Sequence, residues 1–448
     1  MGGGGGNDEA FPLQAREREM TAKPGAVKSA TGRRALFAWC LFDWANSPFP
    51  TVIITFVFAV YFTEGIIGDS VRGTVLWGWA MAASALAVAL LGPVFGAIAD
   101  VGGRRKPWLL ACSGVTIAGA LLLWFAAPDT SNVLWVLVCV AVANAGFELG
   151  MVFYNAMLPG LASAGRVGRL SGWGWALGYA GGLACLVIAL FGFVQPETPP
   201  FGLDPENAEH VRVVAPLAAL WFLAFGWPLF AFVPDRRAAG LPVGLAVRRG
   251  LATLWGTLRE FRRYPVIFRF LIARLFFIDG LNTVFAFGGI YAGGTFGMDV
   301  PRVILFGIAL NVTAGLGAFA FAWVDDWLGA KRTLLISIVG LLLGGLGGVL
   351  APSEPWFWAA GLTLGVFIGP TQSASRSMMA RLSPPERETE MFGLFALSGK
   401  VTAFAGPLLF GWATLAFDSQ RAGMATILVF FVVGLALLLP LPDPDRAA

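Results

Sequence analysis

The chain has 448 residues, of which 57% are hydrophobic and 13% charged, and its formal net charge is +4. A soluble protein of this length needs far more polar surface than this composition supplies. Apolar runs of about 20 residues, long enough to cross a bilayer as α-helix, recur throughout the chain. The composition therefore predicts a polytopic helical membrane protein. Because the basic residues are spread over short loops, the net charge does not indicate a nucleic-acid partner.

Residues that could support catalysis or metal binding are scarce. The only histidine is His210, in a polar loop, and the four cysteines fall inside apolar runs without a Cys-x-x-Cys motif. These features argue against a histidine-based metal site and against a catalytic triad. We therefore expect no catalytic residue, no metal and no cofactor, and a protein that is not an enzyme.

The apolar runs predict twelve membrane spans in two halves. The glycine-rich, mixed-charge residues 1–34 are expected to be a disordered cytoplasmic tail rather than a signal peptide. An N-terminal six-helix bundle is predicted at 35–233, a linker at 234–266, a C-terminal six-helix bundle at 267–440 and a cytoplasmic tail at 441–448. The predicted spans are 35–63, 74–99, 108–127, 133–159, 170–194, 213–233, 267–291, 303–324, 333–351, 356–379, 391–417 and 424–440.

The distribution of basic residues predicts the orientation. Alternate loops hold most of them, for example Arg104 to Lys106 and Lys331 with Arg332, whereas the other loops hold single arginines. The positive-inside rule then places both termini in the cytoplasm, in a cytoplasmic (inner) membrane. Within the linker, residues 241–263 combine apolar and basic side chains near helical spacing, which predicts an amphipathic helix on the anionic leaflet.

One motif occurs twice, at matching places in the two halves. Leu41 to Phe49 and Phe277 to Phe285 both contain Asp-x-x-Asn-(Ser/Thr)-x-Phe inside an apolar run. Further similarities relate spans 2 and 8 and spans 5 and 11, so each partner lies six spans away. An even number of spans gives the two repeats the same orientation in the membrane. Parallel repeats of this kind are typical of the major facilitator fold.

Several motifs resemble a known family. Gly96 to Arg105 resembles the loop motif Gly-x-x-x-Asp-x-x-Gly-Arg-(Arg/Lys) of major facilitator transporters. Over residues 35–440 the chain also resembles the vacuole-effluxer-like branch of that superfamily. That likeness rests on the segments Phe42–Ser47, Val152–Ala156, Gly369–Ser373, Ser375–Ser377 and Ala396–Lys400. The resemblance implies a secondary transporter, and the association of the fungal relatives with amino-acid export from the vacuole implies an amino acid as solute.

Charged side chains inside the predicted spans are candidates for the transport site, because unpaired charges in hydrocarbon cost about 2.5–3.5 kcal/mol each. We expect Asp43 and Asp279 to flank a central cavity, Lys400 and Arg376 to attract a substrate carboxylate, and Glu148 or Asp43 to take up protons. The Asp-x-x-Asn pairs could instead serve helix packing, and Arg376 could extend to the membrane surface. Arg274 is a further charge within a span. The candidate substrate or coupling residues are Asp43, Asn46, Glu148, Asn155, Asp279, Asn282, Gln372, Arg376 and Lys400.

A second set of residues is expected to act in gating. Asp100, at the end of span 2, can face the positive N-terminus of another helix, which we expect to be that of span 11, and so hold one side of the protein closed. The candidate gating residues are Asp100, Arg104, Arg105, Asp326, Lys331 and Arg332.

The sequence thus favours a secondary active transporter that moves a small polar or zwitterionic solute by alternating access, coupled to protons as a symporter or antiporter. Its expected partners are the solute, protons and membrane lipids, with an anionic leaflet at 241–263. Two alternatives remain open. One is an exporter of lipophilic drugs, and the other is a non-transporting membrane partner or lipid-binding protein that retains the fold.

Overall fold

The structure, a computed structural model, describes residues 32–259 and 261–444, and over these ranges the regular structure is entirely helical. Residues 1–31 of the predicted N-terminal tail and 445–448 of the predicted C-terminal tail lie outside the described residues. The longer helices are α1 Arg33–Asn46, α2 Ser70–Gly102, α3 Lys106–Leu122, α4 Val133–Leu161, α5 Val167–Ala189, α6 Val214–Phe232, α7 Val243–Arg259, α8 Pro265–Phe296, α9 Val300–Leu328, α10 Ala330–Leu350, α11 Glu354–Leu382, α12 Glu388–Ser398, α13 Ala405–Phe417 and α14 Gln420–Leu438.

Most of the predicted membrane spans correspond to one of these helices. Within the described residues, ten helical stretches are long and apolar enough to cross a membrane. They match ten of the twelve predicted spans, and the other two predicted spans are α11 and the pair α12–α13. Helix α11 has 29 residues, ample for a bilayer, but it carries Glu354, Arg376 and Arg381. Arg376 and Arg381 are both paired with carboxylates inside the bundle, as described below.

Two spans are less regular than predicted. Span 11 is not one continuous helix, because residues 399–404 form turns between α12 and α13. Pro407 has no N–H to bond the carbonyl of Ala403, which favours the interruption. Span 1 continues beyond α1 as π-helical segments, Phe49–Phe56 and Tyr61–Ile67, after Pro48. Prolines and π-segments are recognised causes of bends in helices.

The two halves meet through equivalent helix pairs. Helix α2 packs against α12, and α5 packs against α9. The predicted repeat relates span 2 (α2) to span 8 (α9) and span 5 (α5) to span 11 (α12 and α13). The internal symmetry therefore exchanges the α2–α12 pair with the α9–α5 pair. Small residues allow the close approach: Gly393 lies so close to α2 that an added Cβ would be 2.5 Å from the Gly92 carbonyl oxygen.

The linker forms the predicted helix, α7, which packs along α2. An added Cβ on Gly250 would lie 2.8 Å from the Ile98 Cα atom, and Leu254 is buried. Leu251 and Trp255 remain exposed, at 45% and 57%. One apolar strip of α7 is thus covered by protein and another is uncovered, and contact of the second strip with lipid stays a prediction.

Candidate functional site

An ion pair between the two halves lies in the protein interior. Arg376 of α11 places its Nη1 atom 3.1 Å from Oδ2 of Asp43 on α1, and the two side chains are 2% and 7% exposed. Arg376 had two possible interpretations from sequence, and extension to the membrane surface is the wrong one. Its charge is instead compensated within the helix bundle, which is what a buried ion requires.

All three nitrogen atoms of the Arg376 guanidinium group donate hydrogen bonds. Nε donates to the Ser171 hydroxyl at 2.9 Å, Nη2 to the Ser171 carbonyl at 2.6 Å, and Nη1 also to the Asn155 side-chain oxygen at 3.2 Å. The guanidinium carbon lies 4.9 Å from the ring centroid of Trp39 and 5.6 Å from that of Trp175. A planar cation suits this combination of directed bonds and aromatic faces better than lysine would.

A glycine ladder on α5 makes room for the motif on α1. An added Cβ on Gly174 would lie 2.5 Å from Asp43 Oδ2, and one on Gly178 would lie 2.8 Å from the Ser47 hydroxyl. The ladder therefore brings α5 against the polar side of α1. Small residues have this effect at many contacts between membrane helices.

A second ion pair between the halves is more accessible. Lys400, in the interruption of span 11, places Nζ 2.8 Å from Oε1 of Glu148 on α4. The two side chains are 27% and 26% exposed. Arg274 of α8 lies beside the same interruption and donates to the carbonyl of Phe395 at 2.7 Å and to the Ser398 hydroxyl at 2.8 Å. Two cations and one carboxylate thus surround the non-helical residues.

Helix α4 connects the two ion pairs. Glu148 and Asn155 are seven residues apart, so they lie on one face of the helix about 10 Å apart along its axis. Glu148 contacts Lys400 at one level, and Asn155 contacts Arg376 at the other. Four of the charged groups predicted from sequence, namely Asp43, Glu148, Arg376 and Lys400, therefore lie along one face of α4 between the halves.

The remaining candidates differ in their surroundings. Asp279 is 2% exposed, and its Oδ2 atom has no hydrogen-bond partner. Asn46 is buried and donates to the Met151 sulfur at 3.6 Å, whereas Asn282, its repeat equivalent, is exposed. Gln372 accepts a hydrogen bond of 2.5 Å from the Tyr179 hydroxyl of α5. The two Asp-x-x-Asn motifs are thus equivalent in sequence but not in their contacts.

Asp100 lies at the N-terminus of α12, the first segment of predicted span 11. Its Oδ2 accepts from the backbone N–H of Glu390 at 2.8 Å, and its Oδ1 accepts from the Thr389 hydroxyl at 2.7 Å. Arg105 donates to Asp100 at 3.3 Å and to Glu388 at 2.9 Å and is 3% exposed. The position of Asp100 is the one expected from sequence, and its gating role stays a prediction.

Asp326 makes the equivalent contact in the other half. Its Oδ1 accepts from the backbone N–H groups of Gly168 and Arg169, at 2.9 and 3.3 Å, at the N-terminus of α5. A carboxylate at a helix N-terminus is stabilised by the unpaired N–H groups and the helix dipole. Both contacts join the halves at the end of the bundle that carries Arg105 and Arg169, which we name the basic end.

Three expected gating residues do not join the halves in this conformation. Arg104 is exposed. Lys331 donates to the carbonyls of Leu439 and Leu441, and Arg332 lies 3.7 Å from Asp443, so both contact the C-terminal end of the same half.

Other basic-end residues were not anticipated. Arg236 of the linker lies 2.7 Å from Glu388 of α12, and Asp235 accepts from the backbone N–H of Arg105 at 3.0 Å. Asp325 lies 2.5 Å from Arg381, which accounts for one of the charges on α11. Asp235 and Arg236 lie at the start of a polar linker, where charged residues are common and therefore do not indicate a contact between the halves. Asp325 directly precedes Asp326 in the motif, and the two consecutive acidic residues could have indicated that Asp325 also has a basic partner.

Comparison with known proteins identifies the family. The model of the family described as "Vacuole effluxer Atg22 like" matches residues 65–447. The chain belongs to this family. It is 25% identical over 411 residues to an uncharacterized MFS-type transporter, YxiO, of Bacillus subtilis, covering 91% of this chain and 94% of that protein. It is 27% identical over 300 residues to autophagy-related protein 22 of Cryptococcus neoformans, covering 60% of this chain and 52% of that protein.

The chain therefore spans about half the length of that fungal relative. Among solved structures, the proton:xylose symporter XylE superposes with a TM-score of 0.72 at 13% identity, covering 92% of this chain and 96% of that one. The human organic anion transporter MFSD10 gives 0.68 at 15% identity, covering 91% and 99%. These likenesses show the major facilitator fold, confirming the fold expected from the repeats. The protein is a multi-pass membrane protein and a transporter of the major facilitator superfamily.

Proposed function

We propose that the protein moves a small zwitterionic solute, with an amino acid as the first candidate, by alternating access and with proton coupling. The observation that carries this proposal is the accessible Glu148–Lys400 pair beside Arg274. A solute carboxylate can replace Glu148 at Lys400, and a solute ammonium can take the place of Lys400 at Glu148. Arg274 supplies the second cation beside the interruption of span 11. Interrupted helices form the substrate sites of many secondary transporters.

The buried and accessible ion pairs take different parts in this mechanism. Asp43–Arg376 and the carboxylates at the two helix N-termini hold the basic end closed, while Glu148 and Lys400 remain in reach of the solute from the opposite side. Opening the basic end requires the Asp100 and Asp326 contacts to break. Helix α7 packs on α2 and accepts a hydrogen bond of 2.6 Å from Arg387 at Thr257. Arg236 lies 3.9 Å from Asp100 and 2.7 Å from Glu388. Both therefore contact the two halves and follow this movement.

We further propose that the basic end faces the cytoplasm of a cytoplasmic membrane. The loops at this end carry most of the arginines and lysines, as the positive-inside rule requires. The exposed Leu251 and Trp255 of α7, with the arginines beside them, suit the anionic leaflet.

Counterflow in liposomes containing the full-length protein tests the site. Vesicles loaded with unlabelled amino acids should accumulate the labelled form, and Lys400→Ala should abolish this while leaving the protein folded in the membrane. Arg302→Ala, which removes an exposed arginine paired with Glu354 outside the site, is the control. Full counterflow by Lys400→Ala would exclude Lys400 from the site. Transport of lipophilic cations that survives Lys400→Ala would favour the drug-export alternative, and no transport of any solute would favour a non-transporting protein.

A further inference from the structure

The Asp279 carboxyl group is a buried acid without a cation. It is 2% exposed, and its Oδ2 atom has no hydrogen-bond partner. The hydroxyl group of Thr402, in the interruption of span 11, lies beside Asp279 and is itself buried, with no hydrogen-bond partner within 3.5 Å. Two unsatisfied oxygen atoms therefore lie together where the helix is broken. An added Cβ on Gly406 would lie 3.4 Å from the Asp279 carbonyl oxygen, so α13 begins directly against this place.

A departure from the internal symmetry explains why Asp279 has no cation. Its repeat equivalent, Asp43, is paired with Arg376, which lies six residues before the end of α11. The residue six positions before the end of the equivalent helix α4 is Asn155. Asn155 is neutral and accepts a hydrogen bond from Arg376. The position that would supply a cation to Asp279 is thus occupied by an amide that serves the other ion pair.

Charged groups on Asp279's own helix and on the segments packed against it are engaged elsewhere or lie towards the ends of the bundle. Arg274 bonds to α12, Lys400 to Glu148, Arg376 to Asp43, and Arg421 to the carbonyls of Val349 and Ala351. The others are Arg262, Arg263, Arg269, Arg302, Asp325, Asp326, Glu354, Arg381, Glu388 and Glu390. No ion pair within 4 Å joins any of the described ones to Asp279.

We propose that Asp279 is the proton-carrying group of the transport cycle. An isolated carboxylate is too costly to bury in a low-dielectric interior, and such a group takes up a proton instead. A hydronium ion on the open side transfers its proton to Oδ2 and leaves as water, and the new O–H can donate to the Thr402 hydroxyl. When α13 and the interruption move, water reaches the carboxyl group and the same proton leaves on the other side. No other reactant is needed.

This inference rests on the proposed transport function, and it assigns coupling to a different acid from those favoured by the sequence. Asp43 and Glu148 are both ion-paired to a basic residue of the other half. Of these three acids, Asp279 is the one that forms no ion pair among the described residues. Asp279 therefore carries the proton, while Glu148 contacts the solute and Asp43 holds the halves together.

Infrared spectroscopy tests the protonation without any substrate. Purified wild-type protein at mildly acidic pH should show a protonated-carboxyl stretching band that is weaker in Asp279→Asn. Glu390, whose carboxylate oxygens are also buried without a hydrogen-bond partner, accounts for the remaining band. The control is Asp299→Asn, which removes an exposed carboxylate at the start of α9 and should leave the band unchanged. An Asp279→Asn spectrum in which this band is as strong as in the wild type would overturn the proposal, whether or not a transported solute is known.

Transport in liposomes then tests coupling. Asp279→Asn should lose at least 10-fold in accumulation driven by a pH gradient, whereas Asp279→Glu should restore part of it. Undiminished pH-driven accumulation by Asp279→Asn would refute the assignment. Dependence of the wild type on a sodium gradient instead of a pH gradient would refute it as well. Absence of wild-type counterflow with every solute contradicts the proposed function, whereas the infrared band still decides separately whether Asp279 holds a proton.

Discussion

Removal of Arg376 alone should destabilise the protein more than removal of Arg376 together with Asp43. The variant Arg376→Met deletes the cation and leaves the Asp43 carboxylate, which is 5% exposed, without its partner. The variant Asp43→Asn leaves the guanidinium group, which still has Ser171 and Asn155 as acceptors. The double variant contains neither charge, so its interior has no uncompensated ion.

The contacts of Asp43 and Arg376 determine how much each variant should lower the free energy of unfolding. Breaking a buried ion pair by removing one partner costs about 3–5 kcal/mol, and replacing both partners by neutral residues of similar volume is often close to neutral. Arg376→Met also abolishes the two hydrogen bonds to Ser171, which leaves one buried hydroxyl and one carbonyl with fewer donors. We therefore expect Arg376→Met to lose about 3–5 kcal/mol, and Asp43→Asn to lose about 1–3 kcal/mol because acceptors remain for the cation.

Thermal unfolding in detergent, followed by the fraction of monodisperse protein after heating, ranks the four forms. The double variant should be at least as stable as Arg376→Met, with a coupling energy of about 0.5–3 kcal/mol between the two sites. Arg376→Lys should fall between the wild type and Arg376→Met, because lysine retains the charge but not the planar fork. Additive losses in the double variant would refute the conclusion that the two charges compensate each other.

Two further predictions concern the basic end and the linker. Gly96→Leu should separate α2 from α12, because even an added Cβ would clash with the Thr389 carbonyl oxygen, and alkylation of cysteines placed at the basic end should then become at least 10-fold faster. The control is Gly102→Leu, because Gly102 has open space around it. An equal increase in the alkylation rate in both variants would refute this prediction. A fluorophore on Trp255→Cys, in a background without the native cysteines, should shift its emission to the blue in vesicles containing anionic lipid, and no shift relative to neutral vesicles would contradict contact of α7 with the leaflet.

The sequence predicted the spans well and the partners of the buried charges poorly. Apolar runs mark the hydrocarbon-facing part of each helix, so the predicted spans differ from the helices mainly by a few residues at their ends. Asp100 could be placed against a helix N-terminus because helix ends have a fixed polarity. Three acids and three bases, in contrast, allow several pairings. The choice of Arg376 for Asp43 depends on the packing of α5, which composition does not reveal.

The interruption of span 11 illustrates a second limit. Gly399, Gly406 and Pro407 were visible in the sequence, but the apolar pattern continues through residues 399–404 because hydropathy takes no account of backbone hydrogen bonds. Proline weakens a membrane helix without dictating a break, since neighbouring helices can compensate for the lost bond. The lack of an ion pair at Asp279 depends on this same interruption and on Asn155, so it could not be predicted from the sequence alone.

The contacts between the halves constrain how the solute drives the cycle. The Asp100, Asp326 and Arg376 contacts each include charge-assisted hydrogen bonds, which contribute about 1.5–3 kcal/mol apiece, or about 5–9 kcal/mol together. A solute shifts the equilibrium between two conformations only by the difference in its affinity for them, and a shift from 1:99 to 99:1 requires about 5.5 kcal/mol. Solute binding alone can therefore hardly open the basic end. New contacts at the opposite end must offset much of this cost, and the two-fold internal repeat supplies equivalent helices to make them.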